Sequence, residues 1–170
     1  MPDVFDLEQL YDEHGQALYA FALELTRNEA DTKDVLQNIF TKLAREPGTL
    51  RNVRNVRAYL LRLAHNAAID LMRRRSTRDK YAEEFGRESE QLFQPASNPD
   101  DEGFRIALSG ALGELPPEQR TVVHLRLWEN LKFEAIAELL GISLNTAASR
   151  YRYGVDKLRQ RLRPLYDEIK

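Results

Sequence analysis

Cysteine is absent from all 170 residues. Disulfide frameworks and CxxC zinc sites are therefore excluded, and a reducing cytoplasm is the compartment to expect. Glycine is scarce, at 8 residues, and alternating runs of Val, Ile and Thr are scarce as well, which disfavours a β protein. No stretch approaches the roughly 18 apolar residues that a membrane helix requires. The N-terminus opens on Asp3, Asp6 and Glu8 and not on a basic, then apolar, leader. Chemistry-bearing patterns are also missing. His14, His65 and His124 are scattered, and there is no nucleophile pattern, metal-ligand spacing or glycine-rich phosphate loop. His65 and His124 read as packed core histidines. The expectation is a cytoplasmic protein without membrane insertion, metal, cofactor or enzymatic activity.

What is present is charge, unevenly spread. Charged residues make up 31% of the chain, above the usual quarter, and the net charge of −2 hides their distribution. Residues 1–50 sum to −6, 51–80 to +7, 81–102 to −6 and 103–170 to +3. Basic segments alternating with acidic ones suit a polyanion touched at two places. Charged faces of solvated helices are the other reading of the same pattern.

Apolar spacing predicts an all-α chain in two small bundles joined by a flexible linker. Leu7, Leu10, Tyr11, Leu18, Phe21, Ala22 and Leu25 fall at helical intervals behind Asp6 as N-cap. A second helix follows Asn28, with Val35, Leu36, Ile39, Phe40 and Leu43 inward, and stops before Pro47-Gly48. Residues 47–55 read as a polar loop. A third helix runs from about Val56 to Arg75. The first domain is placed at 1–78 and an acidic linker, containing Pro95 and Pro99, at 79–103. The second domain is placed at 104–170. Its first helix is broken at Leu115-Pro116-Pro117, Pro117 suits the first turn of the next, and a short helix from Phe133 to Leu140 leads by Gly141 and Ser143 into a last helix reaching about Leu162.

Three segments point to function. Residues 133–153 fit a helix-turn-helix: Ala137 permits close approach, and Gly141 supplies the left-handed residue of a tight turn. With Ala147 and Tyr151 inward, Ala148, Ser149, Arg152 and Tyr153 face a major groove. An ordinary helical hairpin is the alternative. The second segment, 51–80, carries Arg51, Arg54, Arg57, Arg62, Arg73, Arg74, Arg75, Arg78 and Lys80, suited to phosphates, with Asn52, Asn55 and Asn66 able to read base edges. A solvated charged face is the alternative there. The third, DVLQNIF at 34–40, is by itself only an amphipathic helix with Asp34 and Gln37 on its polar side.

In order and spacing, DVLQNIF, then AYLLRLAHNAAIDLMRRR, an acidic linker and ALGELPPEQRTVVHLRLWENLKFEAIAELLGISLNTAASRYRYGVDKLRQRL resemble the extracytoplasmic-function (ECF) sigma factors of the sigma-70 superfamily. The resemblance spans about residues 7–163. It implies a subunit that directs bacterial RNA polymerase to promoters, with the polymerase core (β′ clamp and β flap), promoter DNA and an anti-sigma factor as partners. By matching position, it implies a polymerase-docking role for Asp34, Gln37, Asn38 and Thr41. Leu50, Arg51, Asn52 and Arg54 fall in the loop where the family captures a flipped base of the minus-ten element, with Asn66, Arg73 and Arg74 nearby on the following helix as further minus-ten contacts. Asn145, Thr146, Ala148, Ser149, Arg150, Arg152 and Tyr153 fall on the helix that reads the minus-thirty-five element. Tyr59 stands where a Trp is common, Ala135 where Glu is frequent, Asn145 where Gly is frequent and Ala148 where a basic residue is frequent. A stand-alone helix-turn-helix repressor and a sigma-mimicking sequestering protein are the rival readings. The basic 51–80 segment argues against the second.

Overall fold

The computed structural model describes residues 6–79 and 99–169. Among these are seven α-helices and no strand: α1 (Leu7–Thr26), α2 (Glu29–Arg45), α3 (Val56–Asp79), α4 (Pro99–Glu114), α5 (Pro117–Leu127), α6 (Phe133–Leu140) and α7 (Leu144–Ile169). The chain divides into two compact units, Met1–Arg87 and Glu88–Lys170.

In the first unit the helix starts are set locally. The Asp6 carboxylate accepts from the Glu8 amide at 3.0 Å, and the Asn28 side chain accepts from the Asp31 amide at 3.0 Å, each satisfying an amide that the first turn leaves unpaired. Only two residues separate α1 from α2, and Arg27 takes a left-handed backbone (φ 55°) to turn the chain. The three helices bury Leu18, Phe21 and Ala22 from α1, Val35 and Ile39 from α2, and Leu60, Leu61, Ala64 and Ala68 from α3. Not every apolar position faces inward. Tyr11 is 56% exposed and meets a half-buried Phe40 edge-on, with ring centroids 5.5 Å apart.

In the second unit α4, α5 and α7 share a core of Ala111, Leu112, Leu115, Val123, Leu158 and Leu162. Ile136 and Ala147 are fully buried where α6 meets α7. Pro117 opens α5, where a residue without an amide hydrogen costs nothing. Arg120 is buried and donates to the Leu115 carbonyl at 3.2 Å. It thereby satisfies a carbonyl at the end of α4.

Several boundaries differ from the sequence expectation. Helix α3 continues to Asp79, past Arg75, and α7 continues through Pro164 to Ile169. Helix α4 begins at Pro99, so residues 99–103 are helical where linker was expected. Pro at the first position followed by Asp100, Asp101 and Glu102 is a helix-start signature, because the fixed φ and the first-turn carboxylates both suit a helix N-terminus. Residues 80–98 of the expected linker lie outside the described residues. Ile106, Leu127 and Trp128 are apolar yet 55%, 53% and 42% exposed.

Candidate nucleic-acid and polymerase surfaces

On α2, Asp34, Gln37, Asn38 and Thr41 are all exposed. Their spacing of three, four and seven aligns them along one side of the helix. The opposite side, Val35, Leu36, Ile39 and Leu43, is buried. The row is therefore a polar ridge held in place by a packed helix, which is what a protein-docking surface needs.

The loop between α2 and α3 is tighter than a polar loop. The Thr49 amide donates to the Glu46 carbonyl at 3.1 Å, Arg51 to Gly48 at 3.3 Å and Val53 to Leu50 at 3.3 Å, so successive turns order it. Leu50 is only 3% exposed. Its side chain anchors the loop in the core and does not face outward, which corrects its expected place in a DNA-contacting set. Arg51, Asn52 and Arg54 remain exposed around that anchor. The Asn55 side chain accepts from the Ala58 amide at 3.0 Å, so its oxygen caps α3.

Along α3, Asn66, Arg73, Arg74 and Arg75 are exposed. Asn66 lies beside half-buried His65. Burial pushes His65 below the usual histidine range, and the hydrogen bond with the Asn66 side chain pulls the other way. Arg75 is engaged within the unit: its Nη1 is 2.9 Å from Oδ2 of Asp31 in the first turn of α2. Burial pushes the Asp31 carboxyl up, the Arg75 guanidinium pulls it down and the neighbouring Asp34 pushes it up, with a net upward direction. This pairing joins two helices through side chains 44 positions apart in sequence, and no periodicity announces it.

In the second unit the helix-turn-helix is built as its sequence suggests. Gly141 has φ 69°, a conformation in which a Cβ is penalised, and its amide bonds to the Ala137 carbonyl. Ser143 Oγ accepts from the Thr146 amide at 3.1 Å and caps α7. Ala137 and Ala147, 8% and 0% exposed, allow the two helices to approach. An aromatic chain braces them. Arg126 lies over the Phe133 ring at 5.3 Å and donates to the Leu131 carbonyl at 3.3 Å, while Phe133 meets Tyr151 edge-on at 5.3 Å. This fixes α7 against α5 and α6 and leaves Asn145, Arg152 and Tyr153 exposed. Thr146, Ala148, Ser149 and Arg150 are half-buried. The Arg152 guanidinium lies 5.4 Å from the centre of the Tyr153 ring, a cation–π contact on the outer surface.

Among the described residues no group of three or more His, Cys, Asp or Glu is placed to hold a metal ion, and no helix is long and apolar enough to cross a membrane.

Comparison with known proteins gives these surfaces a common context. The Sigma-70 region 2 model matches residues 10–78, and the Sigma-70, region 4 model matches residues 111–160. The chain is 32% identical over 163 residues to the ECF RNA polymerase sigma factor SigL of Mycobacterium tuberculosis, covering 94% of this chain and 90% of that one. It is 34% identical over 165 residues to the RNA polymerase sigma factor CarQ of Myxococcus xanthus, with 95% and 92% covered. In fold it is similar to the sigma factor RpoE in its complex with the anti-sigma factor NepR from Bartonella quintana. The TM-score there is 0.79 at 23% identity, covering 92% of this chain and 96% of that one. CnrH, solved in complex with the cytosolic domain of CnrY, gives a TM-score of 0.65 at 23% identity over 93% and 88% of the two chains. With region 2 preceding region 4 and relatives matched along nearly their whole length, the chain belongs to the ECF group of the sigma-70 family of RNA polymerase sigma factors.

Proposed function

We propose that this sigma factor acts in promoter-directed transcription through three separate surfaces, with Asp34, Gln37, Asn38 and Thr41 docking on the β′ clamp of core RNA polymerase. The observation that carries this is the exposed ridge on α2 beside an arginine-bearing α3, in one unit, with a helix-turn-helix in the other. Arg51, Asn52, Arg54, Asn66, Arg73 and Arg74 take the minus-ten element. Flipping a base out of the stack costs a few kcal/mol, and hydrogen bonds from the ordered loop and from Asn66 return it. Asn145, Arg152 and Tyr153, flanked by Thr146, Ala148, Ser149 and Arg150, take the minus-thirty-five duplex, with the β flap holding the second unit on the polymerase. The residues up to Asp79 form one functional domain and those from Pro99 onward the other, with 80–98 as their connection. Binding at either element then raises the effective concentration of the other unit at its own site.

The protein works in the cytoplasm as a specificity subunit, performs no catalysis and requires no metal or cofactor. Because the similar RpoE chain was solved with an anti-sigma factor, a regulator of that class is the further partner proposed here. Run-off transcription with purified core polymerase on random promoter fragments tests the reading. Transcripts that require the protein and share two upstream elements are expected. Tight duplex binding with no effect on polymerase would favour a stand-alone repressor instead.

A further inference from the structure

We propose that Asp31 is a positioning residue that withholds Arg75 from DNA, so that the arginine cluster at the end of α3 meets the promoter through Arg74. This rests on the reading of α3 as a minus-ten surface.

Three consecutive arginines point in three directions, because each helical step turns a side chain by about 100°. One of them therefore faces the neighbouring helix. Arg75 does, with its Nη1 2.9 Å from the Asp31 Oδ2. The carboxylate end of the pair is the fixed one: the Asp31 side chain is 9% exposed, against 51% for Arg75. Asp31 is held in the first turn of α2, where a negative charge suits the helix N-terminus. That turn is tied down by Asn28, whose side chain accepts from the Asp31 amide at 3.0 Å and whose carbonyl accepts from the Thr32 hydroxyl at 2.8 Å.

The arginine end needs such an anchor. Residues 73–76 are all exposed, and among the α3 residues up to Ser76 the last fully buried one is Ala68. The apolar core does not reach these turns, so the pairing with Asp31 restrains them laterally. Asp31 precedes Asp34, the first residue of the docking ridge, by one helical turn. One helix thus presents its ridge to the polymerase and, through Arg75, restrains the end of α3 from its own start.

Counting charges at the DNA separates this from a bridge that merely adds stability. Each cation paired with phosphate contributes about one to the slope of log affinity against log salt. The experiment uses holoenzyme reconstituted from the full chain and core RNA polymerase, titrated with a fluorescent fork DNA of mixed sequence at several KCl concentrations. Arg75→Gln should leave the slope at the wild-type value, because Arg75 is already committed to Asp31. Asp31→Asn, of the same shape, should steepen the slope by about one, because it releases Arg75 to the phosphates. The double variant should match Arg75→Gln. Arg74→Gln should flatten the slope by about one.

A flatter slope for Arg75→Gln, or an unchanged slope for Asp31→Asn, overturns the proposal. An unchanged slope for Arg74→Gln overturns the α3 reading itself, so the two failures are distinguishable. Circular dichroism melting accompanies each variant. Arg75→Lys, which keeps the charge, serves where Arg75→Gln does not fold; it should retain the wild-type slope, and a flatter slope would count against the proposal.

Discussion

A Cβ added to Gly154 of α7 would lie 2.7 Å from Cγ2 of Val123 on α5, so these two helices touch at a point that admits no side chain. Gly154 is buried and Val123 is 0% exposed. A β-branched valine locked in the core cannot swing aside. Gly154→Ala gains about 1 kcal/mol of helix propensity, but overpacking of a rigid core costs about 1–3 kcal/mol. The net expectation is destabilisation of the second unit, larger for Gly154→Val. Urea unfolding followed by Trp128 fluorescence, the single tryptophan, checks it, and a stabilised alanine variant would contradict the contact.

Burial lowers the His124 pKa from 6.5 to about 4, and its ring stacks on Trp128 with centroids 5.4 Å apart. The unfolded chain therefore binds more protons than the folded one between these values. Stability contributed by neutral His124 is complete above about pH 6.5 and is lost as pH falls toward 4. The loss amounts to at most about 3 kcal/mol, since each tenfold difference in proton affinity between the folded and unfolded chain is worth about 1.4 kcal/mol. His124→Phe should flatten that slope in unfolding curves recorded between pH 4 and 7, and a variant as acid-sensitive as wild type would rule the group out.

Asp34→Arg should weaken association with core polymerase by on the order of tenfold, about 1.4 kcal/mol, with the helical content unchanged because the residue is exposed. Since Asp34 also bears on the Asp31 carboxyl, Gln37→Ala is the companion variant, free of any new charge. Pull-down of core at equal strength by both would remove the docking assignment.

Arg152 and Asn66 should fail differently. Arg152→Ala should weaken binding to the upstream duplex. A base-edge contact predicts a loss of about 1–3 kcal/mol with relaxed discrimination at one or two base pairs, and a phosphate contact predicts a uniform loss with a salt slope lower by about one. Asn66→Ala should spare duplex binding and reduce open-complex formation, incompletely rescued by a pre-melted bubble. Filter binding and permanganate footprinting of holoenzyme on matched and mismatched promoters distinguish the two. Identical behaviour of both variants would dissolve the division of labour between the units.

What the sequence by itself determined lies within a few residues of each signal. The caps at Asp6, Asn28 and Ser143, the turn at Gly141 and the inward stripe of α2 are decided by neighbours two to four positions away, and periodicity reads them directly. The family was legible for a related reason, since several such local blocks recur in one order. Tertiary structure decided what depends on which helices meet. Leu50 reads as a loop residue until the core that receives it exists, and Tyr11 counts as apolar until its side of α1 is found open to solvent. Arg75 is one arginine of three until α2 brings Asp31 within 2.9 Å. Gly154 is an unremarked glycine until Val123 approaches it. Each of these is fixed by contacts between elements far apart in sequence, because burial and ion pairing depend on distance in space and leave no periodic trace along the chain.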